Sequence, residues 1–451
     1  MAWVLLWAPP ARGDEAEPAK AWKELFKQNY PAAATAQIDA VLAACGHRAD
    51  AIRKLIESDV TYDPYKPGWL RCATEVVDGE KTYPVEFFVR VPHAYTAKKS
   101  WPLLLAAHGQ GGSGQHFGRS IEQLLGGELE KYVIVSPTMP GPKGFNGRQY
   151  QEQAYLLSLT WAKLRVNVDD DRVYMTGYSQ GGHCTWHVAA MFPYQFAAVV
   201  PAAGVPFFEG APLTTITYLE NLSNLPVWAI WGEKDSAKPP ALGNVDLCRA
   251  TAKRLGELNN KYFKGTELTG VGHGGCWPRS EEFTAFLAAH KREAAPAKLM
   301  HFFHLPHHAR SYYLQATKLA HEPIRFSKEL VVTLPPGQEP DNKLVLELLQ
   351  KKSQEQLLRM WADADKPANT LTIRAAGILA VQIDLVGNLL DPARPAKIKY
   401  WSKTWTGKIP VSARCMLTHY AADRDAANLV CNEMDLDIFG KASFRFESQE
   451  E

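Results

Sequence analysis

The sequence predicts an α/β protein built on a mainly parallel sheet with helices on both faces, an α-helical segment before it and a small β-rich domain after it. Three observations carry that reading. Short, continuously apolar runs bounded by Gly or Pro recur through the middle of the chain, stretches of helical character separate them, and beyond a charged, Ala- and Pro-rich segment at Lys291 to Lys298 the runs become strand-like with little helix between. Strands that are apolar throughout are buried on both faces, which is the condition of a parallel sheet under helices.

The elements follow in order. The first eight residues, MAWVLLWA, are an apolar run of signal-peptide length with small residues after it, so residues 1–12 are expected to be the remnant of an export signal and the chain to be secreted or periplasmic. No Lys or Arg precedes the run, which keeps an incidental apolar tail and a cytoplasmic chain as the alternative. Residues 13–79 are expected to be a helical segment, because Ile38, Val41, Leu42, Ile52, Leu55 and Ile56 recur at three- and four-residue steps. Residues 80–293 are expected to form the α/β domain, with strands at Glu86–Val91, Leu103–Ala107, Tyr132–Ser136, Arg172–Thr176, Ala197–Pro201 and Val227–Trp231, and helices such as Gln151–Arg165 and Gly182–Phe192 between them. Residues 299–451 are expected to form the β-rich domain, with strand-like runs at Tyr312–Lys318, Leu330–Leu334, Thr370–Ile373, Ile378–Leu385, Ile398–Trp401 and Ile409–Ala413, and one helix near Leu344–Trp361.

Composition narrows the function. Fifty basic against 48 acidic side chains give a net charge of +2 without a long basic run, so a nucleic-acid partner is not expected. No apolar stretch reaches the roughly 18 residues that cross a bilayer, so no integral membrane segment is expected. Seven cysteines lie scattered, without metal-ligand spacing.

The chemistry centres on Gly177-Tyr178-Ser179-Gln180-Gly181, which follows the apolar run RVYMT and precedes a helical run. A strand, a sharp turn and a helix expose the Ser179 hydroxyl as a nucleophile, and small residues on either side let strand and helix close around it. A hydroxyl needs an imidazole to take its proton and that imidazole needs a carboxylate, in the chain order Ser, acid, His. Asp235 lies just past the run VWAIWG, and His273 sits in the loop Gly270-Val271-Gly272-His273-Gly274-Gly275. Glu233 competes with Asp235 for the acid's place. The loop His108-Gly109-Gln110-Gly111-Gly112 follows an apolar strand, so the amides of Gln110 (with Gly111 close behind) and of Gln180 are the expected oxyanion donors. His108 is expected to position that loop through a buried hydrogen bond.

These motifs, together with DDDRVYMTGYSQGG, WGEKD and GVGHGG, resemble the α/β-hydrolase superfamily. Within it they look most like extracellular esterases related to polyhydroxybutyrate depolymerases and feruloyl esterases, and like prolyl-oligopeptidase relatives that lack the propeller. The resemblance covers about residues 80 to 290 and implies a serine carboxylic ester hydrolase with Ser179, Asp235 and His273 as its triad, acting on small or polymeric aryl, sugar or hydroxyalkanoate esters. A serine oligopeptidase or exopeptidase, and an inactive binding protein on the same fold, are the alternatives. About 80 residues precede the region of resemblance, so a propeller is not expected.

Tyr178, Phe207 and Trp277 are the expected substrate-binding aromatics, each with ordinary core as its alternative; Phe208 goes with them. Only some two dozen residues, Ala202 to Pro226, separate two strands there, so an open cleft is expected. His301, His304, His307 and His308 are spaced as a metal site would be. No Asp or Cys accompanies them and Pro306 breaks the helix that would align them, so no metal and no cofactor is assigned. Asp169-Asp170-Asp171 reads as a solvated turn with one capping carboxylate. Cys184 and Cys276 flank the nucleophile and the histidine, and are either a disulfide or two buried free thiols.

Overall fold

A computed structural model describes residues 16–27, 35–141, 144–207, 214–238, 242–321, 332–339 and 341–446; the expected export signal at residues 1–12 lies outside them, as does Phe208. Its centre is an eight-stranded sheet in the order β1-β2-β4-β3-β5-β6-β7-β8. The strands are β1 (Gly68–Asp78), β2 (Lys81–Val91), β3 (Trp101–Ala107), β4 (Val133–Pro137), β5 (Val168–Tyr178), β6 (Ala198–Ala202), β7 (Val227–Gly232) and β8 (Phe263–Leu268). β1 and β2 form an antiparallel hairpin that joins β4 antiparallel, and the remaining pairings are parallel.

The six predicted strands form. Two that the sequence reading missed are the sheet's edges: β1, which lies inside the segment expected to be helical, and β8. The physical reason is shared. An edge strand is buried on one side only, so its residues alternate or stay half-exposed, as in the GWLRCATEVVD of β1 and the FKGTEL of β8, and no continuous apolar run marks them. The N-terminal helices end sooner than expected, as α1 (Ala16–Lys27), α2 (Thr35–Ala44) and α3 (Ala49–Glu57).

Alternation along the buried strands feeds two cores. Leu103, Leu105, Val133 and Val135 face α5 (Gln149–Arg165) and α6 (Gln180–Met191), while Leu104, Ala106 and Ile134 face α4 (Gly114–Leu125) and α8 (Ser280–Ala288) through Phe117, Ile121, Phe283 and Leu287. α7 (Asn244–Glu257) joins the first of these faces through Val245 and Leu255. Each such side chain, wholly removed from water, contributes about 1.5–3 kcal/mol.

Beyond residue 298 two five-stranded sheets share one core. One holds β10 (Arg310–Ser311), β11 (Leu314–Leu319), β14 (Ile378–Val386), β17 (Val430–Asp437) and β18 (Ala442–Phe444); the other holds β9 (Lys298–Phe303), β12 (Leu358–Asp365), β13 (Thr370–Ala376), β15 (Ala396–Tyr400) and β16 (Lys403–Gly407). Two helices accompany them, α9 (Asn342–Gln356) and α10 (Ala413–Asp423). Of the run Leu330–Leu334, residues 330–331 lie outside the described residues and 332–334 form no strand. Ile409–Ala413 is not a strand either: Ser412 caps α10 by accepting from the Cys415 amide, and the apolar residues there are a helix start.

This β-rich region is welded to the rest. Phe302 and Leu357 sit in the core of the eight-stranded sheet, and the Asn221 side chain bonds both Ala190 O and Phe302 O at 2.9 Å. α10 packs Met416, Leu417 and Tyr420 against Ile52 and Ile56, so the N-terminal helices rest on the C-terminal region. The acidic triplet begins β5, and Asp170 is buried and salt-bridged to Lys163 at 2.7 Å, not solvated; Asp169 does cap the Asp171 amide at 3.1 Å. No helix of the described residues is long and apolar enough to cross a membrane.

Candidate active site

The site gathers at the C-terminal ends of the parallel strands. β5 ends at Tyr178 and α6 begins at Gln180, leaving Ser179 alone on the turn with φ 57° and ψ −117°. A left-handed serine costs on the order of 1–3 kcal/mol and persists only where the surroundings over-determine it. Two hydrogen bonds hold it: Ser179 N donates to Ala202 O at 2.9 Å, and His183 N donates to Ser179 O at 2.9 Å. The glycines are sterically required. A Cβ on Gly181 would stand 1.8 Å from Ala107 O, one on Gly177 would stand 2.1 Å from Gly181 O, and one on Gly182 would stand 2.5 Å from Ala202 O.

The acid and the histidine arrive from the loops after β7 and β8. Asp235 Oδ2 lies 2.8 Å from His273 Nδ1, and His273 Nε2 lies 2.8 Å from Ser179 Oγ. The carboxylate can only accept at Nδ1, so the proton sits there and the Nε2 lone pair is left for the serine hydroxyl. Glu233, the competing acid, is turned elsewhere: its Oε2 accepts from the Gly270 amide at 2.7 Å and so shapes the histidine loop. The structure therefore brings Ser179, His273 and Asp235 into one hydrogen-bonded line and leaves Glu233 outside it.

A residue that sequence reasoning missed completes the acid's surroundings. Asn244, the first residue of α7, donates from Nδ2 to Asp235 Oδ2 at 3.0 Å and lies 3.4 Å from His273 Nδ1. No sequence signal marks it, because it matters only once the loop after β7 folds back so that Val245 N bonds Asp235 O.

On the other flank, His108 is buried just past the end of β3. Its Nε2 accepts from the Met139 amide at 2.9 Å and its Nδ1 donates to Gly109 O at 2.7 Å, so both nitrogens are used in holding the loop. Burial lowers its pKa, which keeps that neutral tautomer. Gly109 lies against Ser179: a Cβ there would stand 3.2 Å from Tyr178 O and 3.5 Å from Ser179 Cβ. Gln110 and Gly111 follow in the same exposed turn, Gly111 with φ 69°. Gln180 opens α6, where the first amides of a helix have no partner within it and are poised for negative charge.

Of the expected aromatics, two adjoin the histidine. Tyr178 stacks on Trp277 with centroids 4.9 Å apart and planes 16° apart, and its hydroxyl donates to His273 O. Phe207 instead leans on the His183 ring at 5.4 Å, one turn into α6. All seven cysteines are free, so the Cys184–Cys276 disulfide does not form: Cys184 is packed in the core, and the Cys276 thiol donates to Gly272 O at 3.0 Å.

Residues 148–274 match the Dienelactone hydrolase family. Over 142 residues the chain is 31% identical to poly(3-hydroxyalkanoate) depolymerase C of Paucimonas lemoignei, a match that takes in 29% of this chain and 34% of that protein, so the chain spans about a third of that relative's length. Among solved structures, a feruloyl esterase module from Clostridium thermocellum is 16% identical with a TM-score of 0.39, over 51% of this chain and 90% of that one. The poly(3-hydroxybutyrate) depolymerase from Bordetella parapertussis is 19% identical with a TM-score of 0.37, over 48% and 94%. Residues 148–274, which run from the start of α5 to the loop that carries His273, are thus similar to the Dienelactone hydrolase family.

Proposed function

We propose that the chain is a serine carboxylic ester hydrolase working through a covalent acyl-enzyme, with Ser179 as nucleophile, His273 as general base and then acid, and Asp235 as the group that orients the imidazole. The observation that carries this reading is the unbroken pair of 2.8 Å contacts from Ser179 Oγ through His273 to Asp235, set on a strained elbow. As Ser179 Oγ attacks the ester carbonyl its proton passes to His273 Nε2, and the carboxylate stabilises the imidazolium. The carbonyl oxygen takes up negative charge facing the amides of Gln110 and Gln180. Collapse breaks the bond to the alcohol, which leaves with the proton from Nε2. Water then repeats the sequence on the acyl-enzyme, releasing the acid and Ser179.

Ester chemistry is favoured by the family match over residues 148–274 and by the alignment with a polyhydroxyalkanoate depolymerase. Tyr178 and Trp277, stacked beside His273, suit aryl, sugar or hydroxyalkanoate esters as a wall; Phe207 extends it along α6. Secretion or a periplasmic location goes with such extracellular esters. The test sets aryl acetates, feruloylated and acetylated sugars and hydroxybutyrate oligomers against peptide amides. Turnover of one ester class with none of the amides supports the reading, amide turnover alone replaces it with an oligopeptidase, and no turnover at all leaves a binding protein.

A further inference from the structure

Behind the nucleophile helix, away from Ser179, three imidazoles converge on one carboxylate. Glu152 of α5 is buried at 1% exposure. His187 of α6 brings Nε2 to 2.6 Å from its Oε2, and His308 Nε2 lies 3.0 Å from both oxygens. Nε2 of the partly exposed His307 stands 2.9 Å from Oε1. His307 and His308 belong to a single turn, Pro306–His308, that follows β9.

The proton count is the telling part. His187 Nδ1 lies 3.1 Å from Phe207 O, a carbonyl that can only accept, so Nδ1 carries the hydrogen. A neutral His187 then points a lone pair at a carboxylate oxygen 2.6 Å away, and the other two Nε2 atoms crowd the same group. Buried carboxylates need a counter-charge, and either protons or a cation must stand among these atoms. A histidine that gives one ring N–H to a backbone carbonyl and offers the other nitrogen inward has the arrangement of a metal ligand with its outer support. The His308 carbonyl likewise accepts from His301 Nε2 at 2.6 Å, which fixes the turn. The ligand atoms of Glu152, His187 and His308 all lie within 4.8 Å of one another.

We propose that Glu152, His187 and His308, with His307 beside the carboxylate, bind a divalent transition-metal ion of the zinc class, in a site that ties α5 and the nucleophile helix to the turn after β9. Imidazoles with a carboxylate suit zinc, and these ligands are buried behind the nucleophile helix, away from Ser179, so the ion's role is structural. The sequence hid the site because its acid lies on α5, far from the histidine run.

The test is made on the full chain. The protein is stripped with a chelator, dialysed, and titrated with Zn²⁺ against a chromogenic competitor; Co²⁺ loading is read by its visible absorption. The expected result is about one equivalent of Zn²⁺, a higher melting temperature on loading, and intense Co²⁺ bands of a tetrahedral site. Glu152→Gln and the half-exposed His307→Ala should each weaken binding at least about 100-fold, and His307→Ala should keep a native circular dichroism spectrum. A folded wild-type chain that takes up no Zn²⁺ and melts at the same temperature with and without it overturns the proposal. So does stoichiometric binding that both substitutions leave unchanged.

Discussion

Replacing Gly181 by alanine perturbs the site through one methyl group. Its Cβ would stand 1.8 Å from Ala107 O, 2.5 Å from Ala107 C and 2.8 Å from His108 O, all of them backbone. No side chain can swing aside, so relief requires the start of α6 to retreat from β3 by about 1.5 Å before ordinary contact is restored. That movement carries Ser179 and the Gln180 amide away from His273 and the Gln110 loop together. A misplacement of about 1 Å can cost on the order of 100-fold, or about 2.7 kcal/mol of barrier. Overpacking should also lower stability by about 1–3 kcal/mol. The assay is kcat/KM on a soluble aryl ester beside urea denaturation, with Gly127→Ala as control because a Cβ there meets nothing within 4 Å. A Gly181→Ala chain that keeps activity within threefold of wild type would refute the steric account of the elbow.

Asp235→Asn should lower kcat by about 10⁴-fold, since the amide can hold His273 in the wrong tautomer, whereas Glu233→Gln should cost less than tenfold because Glu233 reaches only the Gly270 amide; steady-state kinetics showing the reverse order would exchange their roles. Burial lowers the pKa of His108 and His183 and brings His301 to about 4. Their stabilising neutral forms are therefore fully present above the unfolded value near 6.5 and lost as pH falls below it, by about 1.4 kcal/mol per pH unit for each ring that stays neutral. Urea midpoints that stay level from pH 7.5 to 5 would contradict that linkage. Cutting the chain at residue 298 removes Phe302 and Leu357 from the core of the eight-stranded sheet and the salt-bridge partner Asp425 from buried Arg292, so the fragment should aggregate, read by size exclusion; a monomeric fragment with native activity would show the regions to be independent.

What the sequence made legible follows from where information is local. Ser179 and Asp235 each stand just after an apolar strand, which marks the place, whereas His273 is marked by its glycine-rich loop and not by the half-exposed β8 before it. The interior strands announce themselves because both faces are buried, while β1 and β8 do not because one side of each meets solvent. Asn244 and Glu152 were invisible because their roles are made by chain segments that meet only in the folded state. The same holds for Asp170, whose burial depends on Lys163 of α5. An α10 that begins in an apolar run was mistaken for a strand, since a few apolar residues look alike in either state. The β-rich region's weld to the core of the eight-stranded sheet rests on Asn221 and Phe302, single residues that no pattern distinguishes.

The central claim is that Ser179 is an activated nucleophile, and covalent labelling asks it directly. The full chain is treated with a fluorophosphonate, and intact and peptide masses are recorded beside Ser179→Ala and His273→Ala. One adduct per chain, mapped to Ser179, absent from Ser179→Ala and slowed at least about 10³-fold in His273→Ala, is the expected result. An unlabelled wild-type chain, or an adduct on any other residue, would contradict the account.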